Sequence, residues 1–232
     1  MTGIFARRCW FTLTTVAVSF VGLNALRANE PQTTETPHDA PYTSSSESNT
    51  DHAIHLNGSG RQATQKFELK AGLAIVQVQN DGKSNFVVGL LDGQGEQITN
   101  LFNEIDEFSG RRAFNIAKAG TYLLDVDATG PWNFTIEQPR PTTAEPTPQA
   151  FEGEGTNVTP FVALKKGLNV FGFQRAGEGR GVFTLLDQDG RAVEQLANQL
   201  DEFHGSKPVK IEEDGIYFLN VYGEGAWTVT IE

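Results

Sequence analysis

The sequence has one cysteine and one methionine, the initiator, among its 232 residues. A single cysteine excludes an internal disulfide and any metal cage built from several cysteines. Basic residues are also scarce: 18 Lys and Arg stand against 29 Asp and Glu, so the formal net charge is −11. A field of that sign disfavours nucleic acid as a partner, and the sequence has no basic stripe or aromatic RNA-binding motif.

Histidines are also few, which matters for the possible catalytic and metal sites. The four histidines are His38, His52, His55 and His204. They are too few and too scattered to predict a histidine metal site or a Ser-His-Asp triad, and we expect His204 to be a turn residue. Phosphate-binding GxGxxG and GxxxxGK patterns and the zinc motif HExxH are absent. The sequence therefore predicts a protein that is not an enzyme.

The first 28 residues have the composition of a secretory signal peptide. Arg7 and Arg8 precede an uncharged, largely apolar stretch, and small residues follow near Ala25 and Ala28. Cleavage would remove the lone Cys9 and leave no membrane span, whereas an uncleaved anchor is the alternative. The arginine pair leaves both the general and the twin-arginine export routes open. We expect the mature protein to be periplasmic, on the cell surface or extracellular.

Two further segments have compositions typical of connectors. Residues 29–55 are rich in Thr, Ser, Pro and acidic residues, with no Lys or Arg, which predicts a disordered acidic spacer. Residues 138–150 contain four prolines in thirteen positions, which predicts an extended, semi-stiff linker.

The rest of the chain is a tandem repeat. Shifting the sequence by 95 residues places 56–137 on 151–232 without a gap, and 30 of the 82 aligned positions are identical. The identical positions include Gly58 and Gly153, and Trp132 and Trp227. The chain therefore contains two copies of one domain, which we call copy one and copy two, and a domain of this size can form its own core.

Each copy has the sequence pattern of short β-strands. Runs of β-branched and aromatic residues are bounded by Gly, Asp and Asn, and apolar residues alternate in the last two runs. In copy one the predicted strands are residues 65–69, 73–79, 86–92, 97–104, 112–116, 121–127 and 131–137. Helical spacing at 95–108 and 190–203 leaves a short helix as the alternative there. The predicted fold class is all-β, with two tandem antiparallel β-sandwich, jelly-roll-like domains.

The closing motifs of the two copies, GTYLLDV…GPWNFTI and GIYFLNV…GAWTVTI, and their openings, TQKFELKAG and TPFVALKKG, resemble bacterial pre-peptidase C-terminal (PPC-like) domains and related secreted jelly-roll modules. The resemblance spans both copies. It implies a non-catalytic accessory role beside exported enzymes or surface proteins, and some such sandwiches bind calcium or carbohydrate. No protease or other catalytic domain accompanies the two copies in this sequence.

Paired carboxylates give the candidate metal ligands, because Ca²⁺ takes several oxygen ligands at one point. These candidates are Asp187, Asp189, Asp201, Glu202, Asp106 and Glu107. Asp187 and Asp189 form a D-x-D-G arrangement that copy one lacks, since Gln94 replaces the second aspartate. The alternative is that these carboxylates cap backbone amides in solvated turns. A glycosidase would need two carboxylates facing each other across a cleft.

Aromatic residues give the candidate sugar-binding positions. The parity of Trp132 and Trp227 with their strand neighbours predicts that both lie in a core. Aromatic residues without an aromatic counterpart in the other copy are better candidates: Phe86, Phe102, Phe161 and Tyr222. The alternative is that they are core or edge residues.

These observations predict an exported, non-catalytic binding or structural module of the cell envelope. Its expected partner is a protein or polysaccharide ligand, and two linked copies would favour a repetitive one. The alternatives are accessory domains of a secreted hydrolase system and a calcium-stabilised surface protein.

Overall fold

The computed structural model describes residues 53–232, so the predicted signal peptide and nearly all of the predicted spacer lie outside the described residues. The described part folds as strands joined by turns, and no helix long and apolar enough to cross a membrane occurs in it. Its strands are β1 (Ile54–Ser59), β2 (Gln62–Ala63), β3 (Phe67–Leu69), β4 (Gly72–Asn80), β5 (Asn85–Asp92), β6 (Gln97–Ile105), β7 (Phe108–Ile116), β8 (Gly120–Asp127), β9 (Pro131–Glu137), β10 (Glu145–Pro146), β11 (Gln149–Glu154), β12 (Asn157–Val158), β13 (Val162–Leu164), β14 (Gly167–Ala176), β15 (Arg180–Asp187), β16 (Ala192–Leu200), β17 (Phe203–Ile211), β18 (Gly215–Tyr222) and β19 (Ala226–Ile231).

Each copy is a sandwich of two antiparallel sheets. In copy one, β1-β9-β4-β7 forms one sheet, and β8-β5-β6 with β2 and β3 forms the other. The equivalent strands of copy two pair in the same order, as β11-β19-β14-β17 and β18-β15-β16 with β12 and β13. When β2 and β3 are counted as one bent strand, this order is 1-8-3-6 over 2-7-4-5, two interlocked Greek keys. The structure therefore confirms the all-β class and the jelly-roll architecture.

All seven strands predicted for copy one are present, whereas β1 and β2 were missed. The helical alternative at 95–108 and 190–203 is wrong, because β6 and β16 form there. A β-bulge explains the misleading spacing. The partner of β5 skips from Phe102 to Asn100, so Leu101 is an extra residue and the adjacent Leu101 and Phe102 both face the core. Two consecutive buried residues in a strand resemble the apolar spacing of a helix.

The segment predicted as a linker is partly built into the sheets. Within it, β10 pairs in parallel with β13, and β11 already begins at Gln149. Its first residues are held by copy one: the Gln138 side chain exchanges hydrogen bonds of 2.8 Å with the backbone of Lys70, and Arg140 Nη1 donates to Leu73 O at 2.7 Å. Copy one therefore holds the start of this segment, and the sheets of copy two hold its end.

Both tryptophans lie in the cores, as their parity predicted. Trp132 and Trp227 are 3% and 4% exposed, and each indole Nε1 donates a 3.0 Å hydrogen bond, to Gly60 O and Gly155 O respectively. The indole of Trp132 covers its register partner Gly58 on β1 so closely that a Cβ there would overlap the ring. This close approach gives a physical reason for glycine at this position in both copies.

We expect Gly58→Ala to lower the free energy of unfolding by about 1–3 kcal/mol, because the added methyl group overpacks the core against Trp132. Urea unfolding followed by tryptophan fluorescence measures the change. Gly89→Ala is the matched control, since a Cβ at that strand position meets its neighbours only at ordinary van der Waals distance, 3.9 Å. Equal stability of the two variants would contradict the packing explanation.

Candidate functional site

The two sandwiches pack against each other through non-equivalent faces. Copy one contributes the outer face of β4 and β7, and copy two contributes the outer face of β15 and β18 with the segment around β12. An apolar cluster separate from both cores fills the contact. Its buried members are Leu73, Ile75, Ala113, Val158, Leu186 and Phe218. Phe161 packs against this cluster, with its ring edge-on to Phe218 at 5.1 Å between centroids.

Hydrogen bonds fix the register of the contact. Asn220 of copy two accepts from Ala113 N through Oδ1 at 2.9 Å and donates to Ala113 O through Nδ2 at 2.8 Å. Nearby, Arg111 N donates to Thr156 O at 3.0 Å. Because β7 is an edge strand, these bonds use backbone groups that its own sheet leaves unpaired.

A cleft of about 390 Å³ opens where the two copies diverge beside this contact. Copy one supplies residues from β6 and β7, and copy two supplies residues from β15, β18 and the β11–β12 turn. The side chains able to hydrogen-bond or stack in it are Asn103, Glu104, Arg111, Arg112, Thr156, Arg180, Thr184, Asn220 and Tyr222. A second concavity, of about 570 Å³, lies beside the turn at Asp92 and carries only Lys66, Asp92 and Lys118 as charged side chains. The cleft between the copies is therefore the better candidate site.

Glu104 and Tyr222 meet across the cleft from opposite copies. Burial raises the pKa of the Glu104 carboxyl, while the Arg112 guanidinium and a hydrogen bond from Tyr222 act in the opposite direction. Burial together with the charge of Glu104 raises the pKa of Tyr222, so its hydroxyl keeps its proton at neutral pH. Burial lowers the pKa of Arg112, whereas Tyr222 and Glu104 act to raise it. These groups form a linked carboxyl, guanidinium and phenol at the wall of the cleft.

The other two arginines of the cleft have weaker internal partners. Arg180 donates through Nε to Asn198 Oδ1 at 2.9 Å, which leaves its terminal nitrogens without a carboxylate. Arg111 Nη2 lies 3.7 Å from the Glu137 carboxylate, and its Nε is buried without an acceptor. Within residues 53–232 this is the one buried side-chain nitrogen or oxygen that lacks a hydrogen-bond partner. A buried donor of that kind costs free energy unless water or a ligand satisfies it.

An acidic rim adjoins the cleft. A smaller hollow of about 210 Å³ shares Glu104, Thr156, Arg180 and Tyr222 with the cleft and adds Glu107, Glu178 and Glu224. The three arginines of the cleft thus border directly on these carboxylates, with Arg180 lining both hollows. A charged ligand therefore meets an attractive and a repulsive surface within a short distance.

The structure separates the four candidate sugar-binding aromatics. Phe86 and Phe102 are 0% and 2% exposed in the core of copy one, so for them the core alternative holds and a sugar cannot reach them. Phe161 is used in the contact between the copies. Tyr222 alone of the four lines the cleft.

The candidate calcium ligands lie in three separate turns, and four of the six have protein partners of their own. Asp187 Oδ1 accepts from Asp189 N and Arg191 N, both at 2.9 Å, and Asp189 Oδ2 accepts from Arg191 Nη1 at 2.6 Å. Asp201 Oδ1 accepts from Gly179 N at 3.0 Å, and Glu107 lies 3.7 Å from Lys83 Nζ. Asp106 takes a positive φ at its turn, as does Asp201, and Glu202 is exposed. The part of the chain that the structure covers contains no group of three His, Cys, Asp or Glu residues able to hold a metal ion.

We expect the melting temperature of the protein to be unchanged, within about 1 °C, by EDTA or by millimolar CaCl₂, because a ligand stabilises a fold only through binding to it. Differential scanning calorimetry of the mature chain makes the measurement, with MgCl₂ as the ionic-strength control. A rise in melting temperature specific to calcium would instead support the site at these carboxylates.

Sequence reasoning identified Tyr222, as an aromatic without a counterpart, but missed Glu104, Arg111 and the other charged residues of the cleft, because they differ between the copies. Glu104, Arg111 and Tyr222 align with Gln199, Ser206 and Asp127. A search for chemistry shared by both copies passes over such positions. The available signal was a group of positions at which the residue type differs between the two copies. That group can be recognised as a site only when the packing of the two copies is known.

Comparisons with known proteins identify no family. No family model matches the chain, and no curated protein is significantly similar to it, so the resemblance to PPC-like domains stays a prediction. Among solved structures, the chain is 10% identical to the CBM22-1–CBM22-2 tandem of Paenibacillus barcinonensis Xyn10C, covering 80% of this chain and 94% of that one with a TM-score of 0.24. The chain is 9% identical to the exported protein XepA of PBSX. That match covers 78% of this chain and 87% of XepA, with a TM-score of 0.26.

A third similar structure is the M60 catalytic domain with two CBM51 domains from Clostridium perfringens ZmpB. It is 7% identical with a TM-score of 0.28, and the match covers 77% of this chain but only 34% of that one. The chain therefore spans about a third of the length of that protein. TM-scores in this range do not establish a shared arrangement, and the fold rests on the strand pairing described above.

Proposed function

We propose that this chain is an exported, non-catalytic module that binds a polysaccharide in the cleft between its two copies. The observation that carries the proposal is the convergence of an aromatic ring, Tyr222, with the donors and acceptors of Arg112, Glu104 and Asn103 in one open cleft. Sugar hydroxyls donate and accept at once, so they match a wall that offers both kinds of group. The phenol ring supplies an apolar surface for the CH face of a sugar.

The chemistry of the cleft supports binding without turnover. Glu104 is the single carboxylate among the residues that line the cleft proper, and it is already engaged by Arg112 and Tyr222. Glycoside hydrolysis needs two carboxyl groups placed on either side of the scissile bond. We therefore expect no release of reducing ends from any bound polymer.

Affinity electrophoresis in gels that contain soluble neutral or acidic polysaccharides tests the proposal. We expect at least one polymer to retard the protein, and Tyr222→Ala to weaken that binding about tenfold through loss of the ring and its hydroxyl. The matched control is Asp127→Ala, since Asp127 occupies the equivalent strand position of copy one, away from the cleft. Retardation of the Tyr222 variant equal to wild type, or no retardation by any polymer, would contradict the proposal.

A further inference from the structure

We infer that the ligand carries carboxylate groups, which Arg111 and Arg180 bind in the cleft between the copies. This inference rests on the proposed function and narrows its ligand to an acidic polysaccharide. Its starting point is a local reversal of charge. The cleft proper is lined by three arginines and one glutamate, a net charge of +2, in a chain whose net charge is −11.

Internal partners leave two of the three arginines available. Glu104 lies close enough to Arg112 to affect its pKa, and Arg112 Nη1 also donates to Leu101 O. Arg180 has the neutral Asn198 as its partner. Arg111 has a distant carboxylate, 3.7 Å from Nη2, and a buried Nε with no acceptor at all. Two guanidinium groups therefore face the cleft with donors to spare.

The chemistry of guanidinium selects the ligand group. Its planar fork of N–H donors matches the two oxygens of a carboxylate, and charge-assisted hydrogen bonds are stronger than neutral ones. A bound carboxylate can accept from the terminal nitrogens of Arg111, whereas its Nε lies inside the protein. A neutral sugar hydroxyl would offer one oxygen and no compensating charge.

The acidic rim limits where such a ligand can bind. Glu107, Glu178 and Glu224 repel a carboxylate from the adjoining hollow, so the acidic group is expected within the cleft proper, which Arg111 and Arg180 both line. Arg111 lies on β7 of copy one and Arg180 on β15 of copy two, so this pair of arginines comes together only where the two copies pack.

Three acidic polymers, polygalacturonate, alginate and hyaluronate, test the inference when each is paired with its carboxyl-reduced, neutral form. Isothermal titration calorimetry is expected to show binding of at least one acidic polymer and at least tenfold weaker binding of its reduced form. Arg111→Gln and Arg180→Gln should each weaken the acidic interaction at least tenfold, and Arg111→Lys should retain part of it. Binding should also weaken with added NaCl.

Arg61→Gln is the control, because it removes the same charge at an exposed position outside the cleft. Melting temperatures of all variants identify any loss that comes from unfolding. Equal binding of acidic and reduced forms overturns the inference and leaves the proposed function standing, as does binding of neutral polysaccharides alone. Absence of binding to every acidic and neutral polymer overturns both.

Discussion

Replacing Arg175 by methionine is expected to lower the free energy of unfolding by about 3 kcal/mol or more, the largest effect of any single polar substitution that we predict. Arg175 is 1% exposed, and all of its hydrogen bonds go to backbone carbonyls. Nε donates to Glu224 O at 2.8 Å, Nη2 to Glu178 O at 2.6 Å, and Nη1 to Asp201 O at 2.9 Å and Gly179 O at 3.2 Å. Methionine fills much of the volume but satisfies none of these acceptors.

The guanidinium joins three turns at one end of copy two. Its acceptors lie in the β14–β15, β16–β17 and β18–β19 turns, which are far apart in sequence. Removing the side chain takes away four hydrogen bonds from one charged donor, and a hydrogen bond to a charged group contributes about 1.5–3 kcal/mol. Copy one has Asn80 at the equivalent position, where its side chain reaches one such carbonyl, Asp106 O at 3.0 Å.

Urea unfolding measures the loss of stability, and hydrogen exchange of peptides that contain the three turns locates it. Arg175→Lys should also destabilise the protein, because an ammonium cannot reach three turns at once. Arg61→Met serves as the exposed control and should change stability by less than about 0.5 kcal/mol. If Arg175→Met matched that control, the assignment of Arg175 as the residue that holds the turns together would be wrong.

The second large effect concerns the contact between the two copies. We expect Phe218→Ala to cost about 3 kcal/mol and to separate the two sandwiches while both remain folded. Phe218 is completely buried, yet its neighbours belong to the contact cluster and not to either core. The substitution should therefore open a cavity between the copies while leaving each set of sheets intact.

Small-angle X-ray scattering should show a larger radius of gyration for this variant, and limited proteolysis should cut within residues 138–148. Leu123→Ala is the matched control, because Leu123 is the equivalent residue of copy one on a face that no second sandwich covers. Unchanged scattering for Phe218→Ala would show that the other contacts suffice to hold the copies together. The variant should also lose binding in the cleft, since both copies supply its walls.

Much of each sandwich could be predicted from residue alternation. Trp132, Phe134 and Ile136 alternate along β9, and all three are buried as that parity predicts. Turn chemistry was also readable, since Asp92 Oδ1 accepts from Gln94 N and Glu96 N at 2.9 Å. Strand β2 was missed because two residues are too few to establish a period, and the bulge at Leu101 imitated a helix.

The candidate site could not be predicted in this way. Tyr222 was a candidate from the sequence as an aromatic without a counterpart, but Glu104 and Arg111, which line the cleft with it, gave no sequence signal of a site. They become neighbours because the outer face of β4 and β7 packs on the outer face of β15 and β18. Contacts between outward faces depend on the relative placement of two folded bodies, and strand periodicity carries no information on that placement.

One pair of identical residues shows what the sequence determined and what only the tertiary structure decided. Leu73 and Leu168 occupy the same position of the repeat, and the sequence by itself determined that both lie in equivalent strands. Tertiary structure alone decided that Leu73 is fully buried and Leu168 is 72% exposed. The physical reason is that burial of an outward residue depends on whether another body covers its face, and in this chain copy two covers copy one while no second sandwich covers the same face of copy two.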